Sequence, residues 1–144
     1  MGAEQTMSTV AVGTDGSARA NRAVTDAAEI ARRYGAKLVL LSAFDDSVRP
    51  SDDRDIELQW ATNSSAAVRS HLEQIAARLT QEGLECETLA DQGEPADVLL
   101  RLAAQCGADL LVIGNKGMER RLLGSVPNAI THKADCSVLL VKTA

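Results

Sequence analysis

The chain has 144 residues and a formal net charge of −5, and 45% of its residues are hydrophobic while only 2% are aromatic. This length suits one domain of ordinary size with an aliphatic core. The negative charge gives no global basic field for nucleic acid or membrane, and no apolar run approaches the roughly 18 residues of a membrane span. The N-terminus shows no basic segment leading into an apolar one, so we expect no secretory signal and a cytoplasmic location.

Cysteine usage also indicates a reducing compartment. Cys86, Cys106 and Cys136 are odd in number and widely spaced, with no CxxC motif or Cys/His cluster. This spacing predicts no structural metal site. We therefore interpret the three thiols as small apolar side chains in the interior.

The first half of the chain alternates strand and helix patterns. "TVAVG" (Thr9–Gly13) and "KLVLLSAF" (Lys37–Phe44) are short apolar runs that predict buried strands. Between them, Ser17 is placed to cap a helix and Gly35 to end it. The apolar positions of that helix repeat at helical spacing: Ala20, Val24, Ala27, Ala31 and Tyr34.

The second half continues the alternation. The predicted elements are a loop at Asp45–Asp55, a helix near Ile56–Glu82, a strand at Leu84–Ala90, a helix within Gly93–Gly107, a strand at Asp109–Gly114, a helix near Ser125–Lys133 and a strand at Ser137–Lys142. Alternating strands and helices imply right-handed crossovers and a parallel sheet. We predict a three-layer α/β sandwich with five strands, formed by residues 9–144 after a disordered leader at 1–8.

Two loops suit a ligand site in such a fold, where ligands lie outside the carboxyl ends of the strands. They are "GTDGS" (Gly13–Ser17) and "GNKGMERRLLGS" (Gly114–Ser125). Glycines let backbone N–H groups approach an anion, and the helix that starts near Ser125 adds its positive dipole end. The second loop also contributes the cations Lys116, Arg120 and Arg121, so together the loops predict a phosphate site.

Each of these residues also has a purely structural interpretation. Gly13 and Gly114 can be strand exits with a positive φ, and Asp15 can form an Asx turn. Ser125 can be only an N-cap, and the cations can be a solvated loop. Of the two histidines, His71 is expected on the exposed part of its helix and His132 near the end of the last helix, and neither is assigned a role.

The chain resembles the universal stress protein family from Val10 to Lys142. The resemblance is carried by "VGTDGS", "GEPAD", "DLLVIGNKG", "LLGSV" and "CSVLLVK". It implies a flavodoxin-like, Rossmann-like strand order of 3-2-1-4-5 and a homodimer. It also implies that the ligand is ATP or another adenine nucleotide (AMP or cyclic AMP), which can bind with or without Mg²⁺. Because the apolar "SVLLV" would then be an edge strand, we predict that the dimer forms through it.

The resemblance extends to individual positions. Asp15 matches the acidic residue that lies against the nucleotide, and Ala43 falls where the chain of relatives lies near the adenine. The family's glycine motif is matched by Gly114, Gly117, Gly124 and Ser125, followed by Val126. The full predicted nucleotide site is Gly13, Thr14, Asp15, Ala43, Gly114, Asn115, Lys116, Gly117, Arg120, Arg121, Gly124, Ser125 and Val126.

The glycine loop departs from the family motif in length. Six residues, "MERRLL", separate Gly117 from Gly124, whereas the motif has nine. We expect the main chain to hold the α-phosphate and the arginines to serve the outer phosphates, so that ATP gains little over AMP.

Three functions are compatible with the sequence. The first is a stress-response regulator that binds an adenine nucleotide, and the second is a dimeric interaction or adaptor protein that binds none. The third is an enzyme, at most a slow ATPase, because we find no positioned base, no carboxylate pair for metal and no Walker lysine pattern. The presence of Asp15 and of the motif glycines favours the first.

Overall fold

Five parallel strands form one sheet in the order β3-β2-β1-β4-β5, which confirms the predicted topology. The computed structural model describes residues 7–17, 20–46, 64–115 and 124–143. The strands are β1 Thr9–Gly13, β2 Lys37–Phe44, β3 Cys86–Gln92, β4 Leu110–Asn115 and β5 Ser137–Lys142. The three central strands are almost wholly buried, whereas the edge strands β3 and β5 are partly exposed.

Helices cover both faces of the sheet, so the three-layer sandwich is also confirmed. Helices α1 (Ala20–Tyr34) and α2 (Ser65–Gln81) pack on one face. Helices α3 (Pro95–Gln105) and α4 (Ser125–Lys133) pack on the other. No helix in the described ranges has both the length and the apolar character needed to cross a membrane.

The ends of α1 and α2 follow local capping signals. Ser17 Oγ accepts a hydrogen bond from the Ala20 N–H at 3.2 Å, and Gly35 follows the last residue of α1 with φ of 66°. Tyr34 differs from its expected place on the apolar stripe: it is 52% exposed, because the last turn of the helix leaves its ring in water.

Helix α2 is shorter than predicted. Its N-cap is Ser64, whose side chain accepts a hydrogen bond from the Ala67 N–H and whose backbone is extended. The helix therefore begins at Ser65 and does not run unbroken from Ile56; positions 56–63 lie outside the described residues. A serine with an extended backbone is a preferred way to start a helix, which explains the difference.

Strand β3 begins two residues later than predicted. The Leu84 N–H donates to the Leu79 carbonyl at 3.1 Å, so Leu84 belongs to the exit of α2 although it is buried. Pairing with β2 starts at Cys86 and continues to Gln92.

The amino ends of the parallel strands form one edge of the sheet, which we call the amino edge. Asp109, which precedes β4, stabilises this edge. One carboxylate oxygen of Asp109 accepts from the Ser8 N–H, the Thr9 N–H and the Ser8 hydroxyl at 2.9, 3.0 and 3.2 Å. Hydrogen bonds from these two backbone N–H groups lower the pKa of Asp109. Ser8 is thus tied to the sheet although the predicted leader includes it, and the domain boundary as a whole stays a prediction.

Candidate nucleotide site

The strand order reverses between β1 and β4, and this position determines where a site can form. The two strands pair directly, with Val12 beside Val112. The chain leaving β1 enters α1 on one face of the sheet, and the chain leaving β4 leads to α4 on the other face. The chain thus leaves β1 and β4 for opposite faces of the sheet, and open α/β folds bind their ligands at the carboxyl ends of the strands at such a point.

The turn after β1 is anchored to β2. Thr14 is fully buried: its N–H donates to the Leu41 carbonyl at 2.9 Å, and its carbonyl accepts from the Ser42 hydroxyl at 2.7 Å. The Thr14 hydroxyl in turn accepts from the Gly16 N–H at 3.1 Å. These bonds fix the base of the turn before any ligand arrives.

The tip of this turn presents a carboxylate. Asp15 Oδ1 accepts from the Ser17 N–H at 2.9 Å, which is the Asx turn that the structural interpretation anticipated. Asp15 is partly exposed and Gly16 is exposed, with φ of 82° that favours glycine. The other carboxylate oxygen of Asp15, Oδ2, takes no part in this bond.

Gly13 and Gly114 lie at the exits of β1 and β4 but do not have a positive φ, so the expectation of a positive φ at both is wrong. Close packing is the reason for each. A Cβ on Gly13 would lie 3.0 Å from methyl carbons of Leu99 and Ile113. A Cβ on Gly114 would lie 2.9 Å from Thr143 Cγ2, which follows β5.

Asn115 connects the end of β4 to the start of α4. It is buried, and its Oδ1 accepts from the Gly124 N–H at 3.2 Å. Pro127 has no N–H to offer. At the start of α4, the N–H groups of Ser125 and Val126 have no partner within the described ranges, and a helix terminus of this kind attracts anions.

The structure brings part of the predicted site to one edge of two adjacent strands. Asp15, Gly114, Gly124 and Ser125 are at least partly exposed there. Gly13, Thr14, Ala43, Asn115 and Val126 are buried, so they form the floor and support rather than the surface. Lys116, Gly117, Arg120 and Arg121 lie outside the described residues.

Two further residues contribute to this edge and were not predicted. Ser42 supports the Thr14 carbonyl, and the signal for it is a lone hydroxyl inside the apolar run "KLVLLSAF", since a buried hydroxyl needs a partner. His71 was expected to be exposed, but its Nε2 is fully buried. The ring lies against Gly16, with Nε2 3.7 Å from the position of a Cβ there.

Farther out on the same edge lie one ion pair and one cation–π contact. Arg101 and Asp91 form an ion pair at 2.8 Å, and the bond from Arg101 lowers the pKa of Asp91. The guanidinium of Arg69 lies 5.3 Å from the centre of the Phe44 ring. No group of three side chains suited to a metal ion occurs in the part of the chain that the structure describes.

A profile of the universal stress protein family matches residues 7–142. The chain belongs to the universal stress protein family. It is 38% identical over 141 residues to universal stress protein Rv1636 of Mycobacterium tuberculosis, covering 94% of this chain and 96% of the relative. A universal stress protein from Staphylococcus haemolyticus is 30% identical, covering 96% and 86%.

Solved universal stress protein structures share the fold, and some contain nucleotides. One, in complex with cAMP, is 33% identical with a TM-score of 0.74, covering 97% of this chain and 100% of that one. Another, from Archaeoglobus fulgidus in complex with dAMP, is 25% identical with a TM-score of 0.66, covering 94% and 98%.

Proposed function

We propose that this universal stress protein is a stress-response regulator that binds an adenine nucleotide between the turn after β1 and the start of α4. The observation that carries the proposal is that a helix start and a carboxylate lie at the carboxyl ends of the adjacent strands β1 and β4, where the strand order reverses. Beside β4 lies a helix start whose first two N–H groups have no partner in the part of the chain that the structure describes, and beside β1 lies a carboxylate turn. The relatives that are crystallised with cAMP and dAMP support the choice of ligand class.

The chemistry of the two groups orients the ligand. The N–H groups of Ser125 and Val126 and the helix dipole suit a phosphate. The Asp15 carboxylate accepts hydrogen bonds and repels phosphate, so it suits the ribose hydroxyls or the amino group of the base. We therefore place the phosphate over α4 and the nucleoside over the turn after β1.

The described groups are enough for one phosphate. Two N–H groups serve a monophosphate or a cyclic phosphate, and the Gly124 N–H is already donated to Asn115. The outer phosphates of ATP would depend on Lys116, Arg120 and Arg121, and a magnesium ion would bind through those phosphates. We assign AMP or cyclic AMP as sufficient ligands, and no hydrolytic step follows from the described residues.

The test is a matched pair of variants at the helix start. Ser125→Pro removes one N–H but preserves the helix, because proline is favoured at the first helical position and Gly124 already has an extended backbone. Ser125→Ala keeps that N–H and removes only the hydroxyl. We expect calorimetry to show AMP binding weakened roughly tenfold or more in the proline variant and by no more than about threefold in the alanine variant.

Equal affinities for the parent and the proline variant would contradict the placement of the phosphate. Failure of the parent to bind AMP, cyclic AMP or ATP would contradict the function itself. If the parent does bind a nucleotide, mass spectrometry of the molecule that co-purifies with the native protein will show which one the cell supplies.

The second candidate function is that of a dimeric interaction protein, and the edge strand β5 favours it. Val138, Leu139 and Leu140 are only partly buried on this strand. We propose a homodimer that pairs two copies of β5, since an apolar edge favours pairing with another strand. Light scattering of the parent should give about twice the monomer mass of 15.2 kDa, and a monomer at micromolar concentration would end this proposal. A proline at Val141 would remove a main-chain N–H from β5, but Val141 is the buried residue of this strand, so the variant would not separate loss of the dimer from loss of the fold.

A further inference from the structure

His71 carries a buried polar atom that the proposed function leaves unused. Its Nε2 has no exposed surface and no hydrogen-bond partner, and no other buried side-chain nitrogen or oxygen of the described residues is left in this way. Buried polar atoms in native proteins are nearly always hydrogen-bonded, and each exception calls for an explanation. An aromatic or aliphatic side chain would fill this place without that cost.

The position of the ring identifies the segment that it faces. The Cδ2–Nε2 edge of the ring lies next to Gly16, 3.4 and 3.7 Å from where a Cβ would be, which is an ordinary van der Waals distance. Gly16 is exposed on its other side, at the tip of the turn that presents Asp15. His71 therefore supports the ligand-binding turn from behind.

The hydrogen bonds inside the turn limit what Nε2 can do. The N–H groups of Gly16 and Ser17 are already donated to Thr14 Oγ1 and Asp15 Oδ1. The carbonyl and carboxylate oxygens of the Asp15–Gly16 segment can accept a hydrogen bond, and towards them His71 acts as the donor through Nε2–H.

We propose that His71 is a positioning residue for nucleotide binding. When the ligand engages Asp15, the turn moves onto the imidazole and an oxygen of the Asp15–Gly16 segment accepts the Nε2–H. The unpaired nitrogen disfavours the free arrangement and its hydrogen bond favours the bound one, so His71 couples ligand binding to closure of the turn. This inference rests on the proposed function.

The coupling predicts opposite effects on stability and affinity. His71→Phe removes the unpaired nitrogen, so the ligand-free protein should melt about 4 °C higher. The same variant should bind AMP about tenfold more weakly, because the bound state loses its hydrogen bond. His71→Gln keeps a donor at a similar reach and should restore AMP affinity to within about threefold of the parent. A purely structural histidine would lower the melting temperature when replaced and would not be rescued in binding by glutamine.

The chain has only two histidines, which allows a direct readout in the parent. With ¹⁵N-histidine labelling, saturating AMP should move the Nε2 signal of His71 and slow the exchange of its proton. His132, exposed in the last turn of α4, is the internal control and should not change. If calorimetry shows AMP binding while the His71 signals stay unchanged, the coupling is wrong and the proposed function stands. If AMP, cyclic AMP and ATP all fail to bind, both are wrong.

Discussion

The amino and carboxyl ends of the parallel strands, which form the amino and carboxyl edges of the sheet, differ in how their hydrogen-bonding groups are satisfied. At the amino edge, Asp109 collects three hydrogen bonds from Ser8 and Thr9, and main-chain bonds join β2 to the start of β3. At the carboxyl edge, the N–H groups of Ser125 and Val126 and the ring nitrogen of His71 have no hydrogen-bond partner among the described residues. Unsatisfied groups are costly, so we propose that a bound nucleotide completes this edge.

At the carboxyl edge, the residues that support the main chain differ from those that are exposed to a ligand. Thr14, Ser42 and Asn115 are buried and hold the main chain of both connections in place. Asp15 and Ser125 are at least partly exposed, and we propose that they contact the ligand. Substitutions of the first group should affect stability and binding together, and substitutions of the second should affect binding alone.

The largest effect is expected from Ser42→Ala. The Thr14 carbonyl would lose its partner in a fully buried position, which should cost about 1–3 kcal/mol of the free energy of unfolding and weaken AMP binding. Ser8→Ala removes a hydroxyl from the exposed amino edge and should cost no more than about 0.5 kcal/mol, with unchanged AMP affinity. Urea unfolding and calorimetry on both variants measure the contrast, and equal losses would contradict it.

A smaller effect concerns the outer phosphates. Arg120→Ala combined with Arg121→Ala should weaken ATP binding several-fold at low salt and leave AMP binding nearly unchanged, because we expect these two cations to serve only the outer phosphates. The loss for ATP should shrink at high salt, which screens interactions between charges. Titrating both nucleotides at low and high ionic strength measures this effect. Equal losses for AMP and ATP would show that the arginines do not serve the outer phosphates.

The amino edge should respond to pH without any effect on binding. The hydrogen bonds that lower the pKa of Asp109 stabilise the protein above the carboxyl's ordinary pKa of about 4, and this contribution is lost as the pH falls through the lowered value. Asp109→Asn should therefore lower the melting temperature at pH 7 by about 2–4 °C, and by less at pH 3. AMP affinity at pH 7 should match the parent, and a change in it would mean that the two edges are coupled.

The smallest effect is expected from Cys86 at the start of β3. Burial raises the pKa of the Cys86 thiol to about 11, and Glu87 adds to the shift. The unfolded chain ionises at lower pH, so stability is full below about pH 9 and falls as the pH rises towards 11. Because the side chain is partly exposed, the free energy of unfolding of the parent relative to Cys86→Ala should fall measurably between pH 8 and pH 10.5, by less than about 1 kcal/mol. A flat difference would show that the thiol is solvated.

The sequence was sufficient where the signal is local. The boundaries of β1, β2, β4 and β5 follow apolar runs, apart from small shifts at the ends of β4, and α4 follows its glycine and serine. The roles of Gly13 and Gly114 were missed because each is set by side chains distant in sequence, Leu99 and Ile113 for one and Thr143 for the other. His71 was misjudged for the same reason: its burial depends on where the turn after β1 lies, which the helix pattern alone does not contain.

Mapping AMP on the parent protein by amide chemical shifts tests the central claim most directly. Addition of AMP should move the backbone signals of Asp15, Gly16, Gly114, Ser125 and Val126, and leave those of Ser8, Glu85 and Asp109 unchanged. Saturation of the shifts with one site per chain would confirm that the nucleotide completes the carboxyl edge. Shifts confined to the amino edge, or no shifts with AMP, cyclic AMP or ATP, would contradict the account.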